Sequence, residues 1–155
     1  MIKAYMRLQK MREFYIDTLS KLYDYSTSVF SKKLFTKYVE SDEGYTYGDF
    51  KKKCDELSKL LTQYGVGCGD KVAIFSQSMP NWSVAFFSVV PFGRIAIPIL
   101  PDSSENEVTN IMNHSGSKVL FVSQRLASRI SPEIKSNMSL IIDLDTLQVL
   151  QSDEN

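Results

Sequence analysis

The stretch GVGCGDKVAIFSQSMPNWSVAFFSVVPFGRIAIPILPDSSENEVTNIMNHSGSKVLFV, residues 65–122, decides the fold. Short apolar runs alternate in it with segments of helix length, the pattern that joins parallel strands through helices. Runs at 72–76, 95–97 or slightly beyond, and 118–122 are apolar on both faces, as strands covered on both sides require. A fourth strand is expected at 140–143. Between the first two runs, Pro80 suits the first turn of a helix that carries Trp82, Ala85, Phe86, Val89 and Val90 inward and stops near Pro91 and Gly93. Between the next two, Ser104 and Glu107 form an N-terminal capping box ahead of a buried stripe of Val108, Ile111 and Met112.

Toward the N-terminus, the runs LFTKYV and YTY flank the turn formers Ser41, Asp42, Glu43 and Gly44, which reads as a short hairpin. A helix at 47–64 follows, with Thr46 as N-cap, Gly65 beyond its end, and Phe50, Cys54, Leu57, Leu61 and Tyr64 on one face. Cys54 lies on that apolar stripe, so packing is expected of it rather than nucleophilic chemistry. Before the hairpin, Leu8, Met11, Tyr15, Leu19 and Leu22 recur at helical spacing. Two readings follow for residues 1–23: an amphipathic helix packed on its own domain, or one held against anionic lipid by Lys3, Arg7, Lys10 and Arg12. The expected division is a helical segment at 1–33, an α/β unit at 34–150 and a tail at 151–155.

The fold class expected is therefore α/β, a mostly parallel sheet with flanking helices, preceded by an amphipathic helix and a short β-hairpin. The 155 residues, 43% of them hydrophobic, suffice for one domain with a core. Eighteen Lys and Arg balance eighteen Asp and Glu, which argues against a nucleic-acid partner. Two Cys and one His are too few for a disulfide framework or a zinc cluster, and a reducing, cytoplasmic setting is expected. Charged residues interrupt every N-terminal stretch long enough for a signal core or a membrane span.

Three places invite a chemical reading. The glycines at 65–70 would cradle phosphate only if a strand preceded them and a helix followed, and here the order is reversed. They are expected to form the turn into the strand at 72. His114 is expected to bond the last carbonyls of its helix and to complement the helix dipole, and Trp82 to anchor the core. No residue is assigned a catalytic, cofactor-binding or metal-ligating role.

The order YTYGDF, LLTQYGVGCGDKVAIFSQSMPNW, AFFSVVPFGRIAIPILP and EVTNIMNHSGSKVLFVS resembles the N-terminal part of the AMP-forming acyl-CoA synthetases, within the adenylate-forming superfamily. The matching features are a T-Y-x-[DE]-like helix start at Thr46, a G-[IV]-x-x-G-D-[RK]-V-A turn and strand from Gly65 to Ala73, and an N-x-x-[ED]-W-like helix start. A G-A-[VI]-x-[VI]-P-L-x-P-like strand from Gly93 to Pro101 and an H-S-x-[AS]-K-x-[LV] run from His114 to Leu120 complete them. The last run and the preceding I-P-I-L resemble bacterial long-chain fatty-acid CoA ligases most. Two departures stand out: no acidic residue precedes Trp82, and Arg94 stands where the family usually has alanine.

The resemblance implies an enzyme that forms an acyl adenylate from a fatty acid and ATP, then transfers the acyl group to coenzyme A, with magnesium as the metal. It also implies that the phosphate loop ending in Pro-Lys-Gly, the ribose-binding aspartate and the catalytic lysine lie beyond Asn155. The chain is thus expected to be a scaffold portion, inactive alone and binding no cofactor itself. Its expected partners are the remainder of the same polypeptide and, through exposed contact surface, further copies of itself. A non-catalytic α/β binding or scaffold module is the alternative. A flavodoxin-like or receiver-like domain fits the alternation but lacks an acidic cluster or phosphate loop at the strand ends.

Overall fold

A computed structural model describes residues 16–39 and 41–152. Helix α1 spans Leu19–Val29, capped by Thr18, whose hydroxyl accepts from the Lys21 amide. Strands β1 (Leu34–Lys37) and β2 (Gly44–Thr46) form the expected antiparallel hairpin. Helix α2 (Tyr47–Gln63) follows at once. Its N-terminus is closed reciprocally: Thr46 Oγ1 accepts from the Asp49 amide, and an Asp49 carboxylate oxygen accepts from the Thr46 amide, each at 3.1 Å.

The remaining elements are β3 (Lys71–Phe75), α3 (Pro80–Val89), a 3-10 turn at Val90–Phe92, β4 (Ile95–Ile99) and α4 (Glu105–Ser115). Then come β5 (Val119–Val122), a 3-10 segment at Gln124–Arg129, α5 (Pro132–Ser136), β6 (Leu140–Asp143) and β7 (Val149–Ser152). The sheet order is β4-β3-β5-β6-β7, parallel except for β7. Successive side chains of a strand point to opposite faces. One face of the sheet presents Val72, Ile74, Val119, Phe121, Leu140 and Ile142 to α2 and α3. The other presents Ala73, Phe75, Leu120, Val122 and Ile141 to α4 and the 124–138 segment. Each such large apolar side chain contributes roughly 1.5–3 kcal/mol when fully buried, so the two clusters hold the fold. The α/β class and the mostly parallel sheet with flanking helices are as expected.

Several local expectations are corrected. Strand β4 is an edge strand, with Ile95 and Pro98 exposed rather than covered on both faces. Pro98 suits that place, since a proline lacks the amide an inner strand must donate. The face of α3 turned inward is Asn81, Val84, Ala85, Ser88 and Val89, while Trp82 and Phe86 are half-buried and stack on each other at 5.4 Å. Strand β7 was not foreseen. It extends through Ser152, two residues into the expected tail at 151–155.

At the N-terminus, Thr18 is extended (φ −136°, ψ 155°), so the periodic run through Leu19 and Leu22 does not form one helix across it. The expected positions Leu8, Met11 and Tyr15 lie outside the described residues. Leu19 and Leu22 face outward, and Tyr23 and Thr27 pack inward instead. Tyr23 meets Phe50, Phe87 and Phe92, and its hydroxyl donates to Asp55 Oδ1 at 2.8 Å. Burial, and then that bond, push the Tyr23 phenol well above its usual range. Among the described residues no helix is long and apolar enough to cross a membrane.

Candidate functional site

From β3 the chain passes to β4 on one side and then returns to β5 on the other. In an open parallel sheet the crevice at such a switch point, outside the carboxyl ends of the strands, is where ligands bind. Here those ends carry Ser76 and Gln77 after β3, Ser123 and Gln124 after β5, and Asp143 closing β6. Ser123 Oγ donates to Gln77 Oε1 at 2.8 Å, and Gln124 Nε2 donates to Asp143 Oδ2 at 2.7 Å. Thr146 Oγ1 and the Asp145 amide donate to the same carboxylate, both at 2.9 Å. Asn81, at the start of α3, donates to the carbonyls of Leu144 and Asp145 and accepts from Tyr45 Oη at 2.6 Å. The hairpin, α3 and the loops after β5 and β6 are thereby tied into one crest.

Asp143 is 3% exposed, and burial alone pushes its carboxyl up. The bonds from Gln124, Asp145 and Thr146 outweigh burial and hold it below the ordinary carboxylate range. A carboxylate so engaged is a structural acceptor rather than a base awaiting a substrate. Beside the crest lies a cleft of about 370 Å³, lined by the hairpin residues Lys37 and Tyr38 and by Ser78, Met79, Trp82 and Ser83. That volume falls within the range of small-molecule pockets. Its lining offers a cation, hydroxyls and an indole, but no nucleophile paired with a base.

Of the residues singled out by sequence, Trp82 lines this cleft, and the others are dispersed away from the crest. Gly65 and Gly69 take positive φ values of 75° and 83°, and the Gly67 amide donates to Asp70 Oδ2, forming the turn into β3 at the amino end of the sheet. Lys71 Nζ donates to the Ser115 carbonyl at 2.7 Å. His114 is exposed in the last turn of α4, and the Met112 carbonyl there accepts from the Gly116 amide and Ser115 Oγ. Cys54 is fully buried, with its thiol pushed up by burial and its Sγ 3.6 Å from the Val84 carbonyl. Packing is its role, as expected.

Arg94 is the largest surprise. It is 6% exposed, and its guanidinium donates to the carbonyls of Val66, Ser58 and Ser88 and to the hydroxyls of Ser58 and Thr62. It therefore closes the C-terminal turn of α2 against α3 and the start of β4, with the negative end of the α2 dipole beside it.

The polar crest was missed in the sequence because its members are far apart along the chain. The run LIID offered one signal, an acidic residue closing an apolar strand. Among the described residues no group of three or more His, Cys, Asp or Glu is placed to hold a metal ion, and every buried side-chain nitrogen and oxygen has a hydrogen-bond partner.

The chain matches the family model "AMP-binding enzyme" over residues 26–155. It is 29% identical over 113 residues to 4-hydroxybutyrate–CoA ligase 2 of Metallosphaera sedula, covering 71% of this chain and 21% of that one. The anthranilate CoA ligase AuaEII, in complex with anthranoyl-AMP, superimposes with a TM-score of 0.73 at 22% identity, over 86% of this chain and 26% of that one. The N-terminal domain of FACL13 from Mycobacterium tuberculosis gives 0.75 at 21% identity, over 85% of this chain and 34% of that domain. The chain thus spans about a fifth of the ligase and a third of the FACL13 domain. With the family model covering most of its length and the sheet superimposing on these structures, the chain belongs to the AMP-binding enzyme family.

Proposed function

We propose that this chain is the first α/β layer of a ligase that activates a long-chain fatty acid with ATP and passes the acyl group to coenzyme A. The observation that carries the ligase reading is the family match across 26–155, laid over a sheet whose carboxyl ends form one braced crest. Fatty-acid preference is supported by the I-P-I-L at 97–100 and by the run from His114 to Val122, which resemble long-chain ligases. The chain's own part is structural. Asp143, Gln124 and Asn81 fix the loops at the crest, and the hairpin and α3 form a wall beside it.

Stabilising charge on a reacting phosphoryl group takes donors and a cation aimed at it, and the described residues of this crest point their donors at one another. The chain alone is therefore an inactive scaffold. That self-satisfaction is also the observation favouring the alternative, a non-catalytic α/β module.

The experiment that separates them reads the codons following Asn155 and assays the chain joined to the segment they encode. The ligase reading expects a Ser/Thr/Gly-rich loop ending in Pro-Lys-Gly and pyrophosphate exchange strongest with fatty acids of long chain. Exchange favouring acetate or benzoate overturns the long-chain preference. A following segment without that loop and without exchange leaves the scaffold module.

A further inference from the structure

We infer that the outward face of α1, with the basic residues around it, docks on an anionic lipid bilayer. This inference is independent of the ligase reading. Six of the eleven large apolar side chains exposed among the described residues, Ile16, Leu19, Leu22, Val29, Leu34 and Val39, fall in residues 16–39. Leu19, Leu22 and Val29 lie at spacings of three and seven on α1, which puts them on one side of that helix. The neighbouring side, Tyr23 and Thr27, is already buried against the body, so the exposed stripe is not the face that holds α1 in place.

Charge names the occupant. The chain is neutral, but residues 1–37 carry eight Lys and Arg against three Asp and Glu, and residues 38–155 carry ten against fifteen. An uncharged protein that concentrates its cations in the same stretch of sequence that carries its exposed apolar stripe is complementary to an anionic interface, where apolar insertion and electrostatic attraction act together. A second copy of the chain would bring the same cation-rich segment, and like charges oppose that contact. Among the described residues three of these cations are locally engaged: Lys21 pairs with Asp17 at 2.8 Å, Lys37 lies 3.8 Å from Asp42, and Lys33 Nζ lies over the Phe30 ring, 4.9 Å from its centroid. Lys32 and Lys33 follow α1 directly and are exposed.

The test is co-sedimentation of the 155-residue chain with phosphatidylcholine vesicles, with and without 30% phosphatidylglycerol, alongside sedimentation velocity of the protein alone. The proposal expects binding to the anionic vesicles only, weakened about tenfold or more by raising salt to 0.5 M or by Lys32→Glu with Lys33→Glu. It expects Leu19→Glu with Leu22→Glu to abolish binding while the far-UV circular dichroism and melting midpoint stay unchanged. Leu150→Glu, an exposed apolar position on the distant β7, should bind as wild type. Absence of binding to anionic vesicles, equal binding to neutral ones, or a dimer dissolved by the Leu19 and Leu22 changes overturns it.

Discussion

Arg94 Nη1 donates to Ser58 Oγ at 2.7 Å, and this contact joins a buried cation to helix α2, 36 residues earlier. Around it, every acceptor is neutral: the carbonyls of Val66, Ser58 and Ser88 and the hydroxyl of Thr62. Burial lowers the proton affinity of the guanidinium, yet an arginine keeps its charge throughout the stable range of a protein. Truncation would leave several buried carbonyls without a donor. Arg94→Ala, the residue the family resemblance leads one to expect there, should cost about 2–4 kcal/mol in urea denaturation. Arg94→Lys should recover only part of it, because an ammonium cannot span both Ser58 and Val66.

Asp143 couples the crest to pH. Its folded carboxyl titrates below the ordinary value of 3.8, so the unfolded chain takes up that proton first as pH falls. The contribution is complete above the ordinary value, declines as pH drops below it, and is gone below the folded value. Asp143→Asn should flatten that part of the acid denaturation curve while also lowering stability at pH 7. A wild-type slope unchanged by the substitution would remove Asp143 from the acid response.

The two cysteines should react in sharply different ways. Cys68 is exposed in the turn before β3, whereas Cys54 is buried and its thiol is pushed up. Iodoacetamide at pH 8 should add one label to the native chain, on Cys68, and a second only in denaturant. Mass spectrometry of the labelled peptides checks both sites.

Much of the local architecture was legible because its signals are short-range. Thr46 with Asp49 and Ser104 with Glu107 are capping boxes within four residues, and both close as the spacing predicts. The apolar runs of β3, β5 and β6 needed no partner to be recognised. What escaped depends on distant partners. Trp82 and Phe86 read as core by hydrophobicity, yet the inward side of α3 is chosen by the sheet and by Asn81, which reaches the carbonyls of Leu144 and Asp145. The packed-helix reading of residues 1–23 places Leu19 and Leu22 inward for the same reason, whereas Tyr23 holds that place through contacts with Phe50 and Phe87. Arg94 looked out of place because all but one of its acceptors, the Ser88 carbonyl, lie 28 to 36 residues earlier.

Gly93 is required by its backbone. It ends the 3-10 turn after α3 at φ 82°, its carbonyl accepts from the Gly69 amide at 2.8 Å, and a Cβ there would lie 2.9 Å from Cys68 Sγ. Gly93→Ala should cost about 1–2 kcal/mol, chiefly as left-handed backbone strain. Adding Cys68→Ala should relieve only the side-chain contact, so most of the loss should persist in urea midpoints.

The central claim, that this chain supplies a wall of an adenylating site without its phosphate chemistry, is tested most directly by ATP–pyrophosphate exchange. The assay uses the 155-residue chain with magnesium and a panel of fatty acids from two to eighteen carbons. The account predicts exchange indistinguishable from a blank with every acid. Turnover clearly above the blank with any of them, abolished by Asp143→Asn, would contradict it by placing working catalytic machinery within the chain.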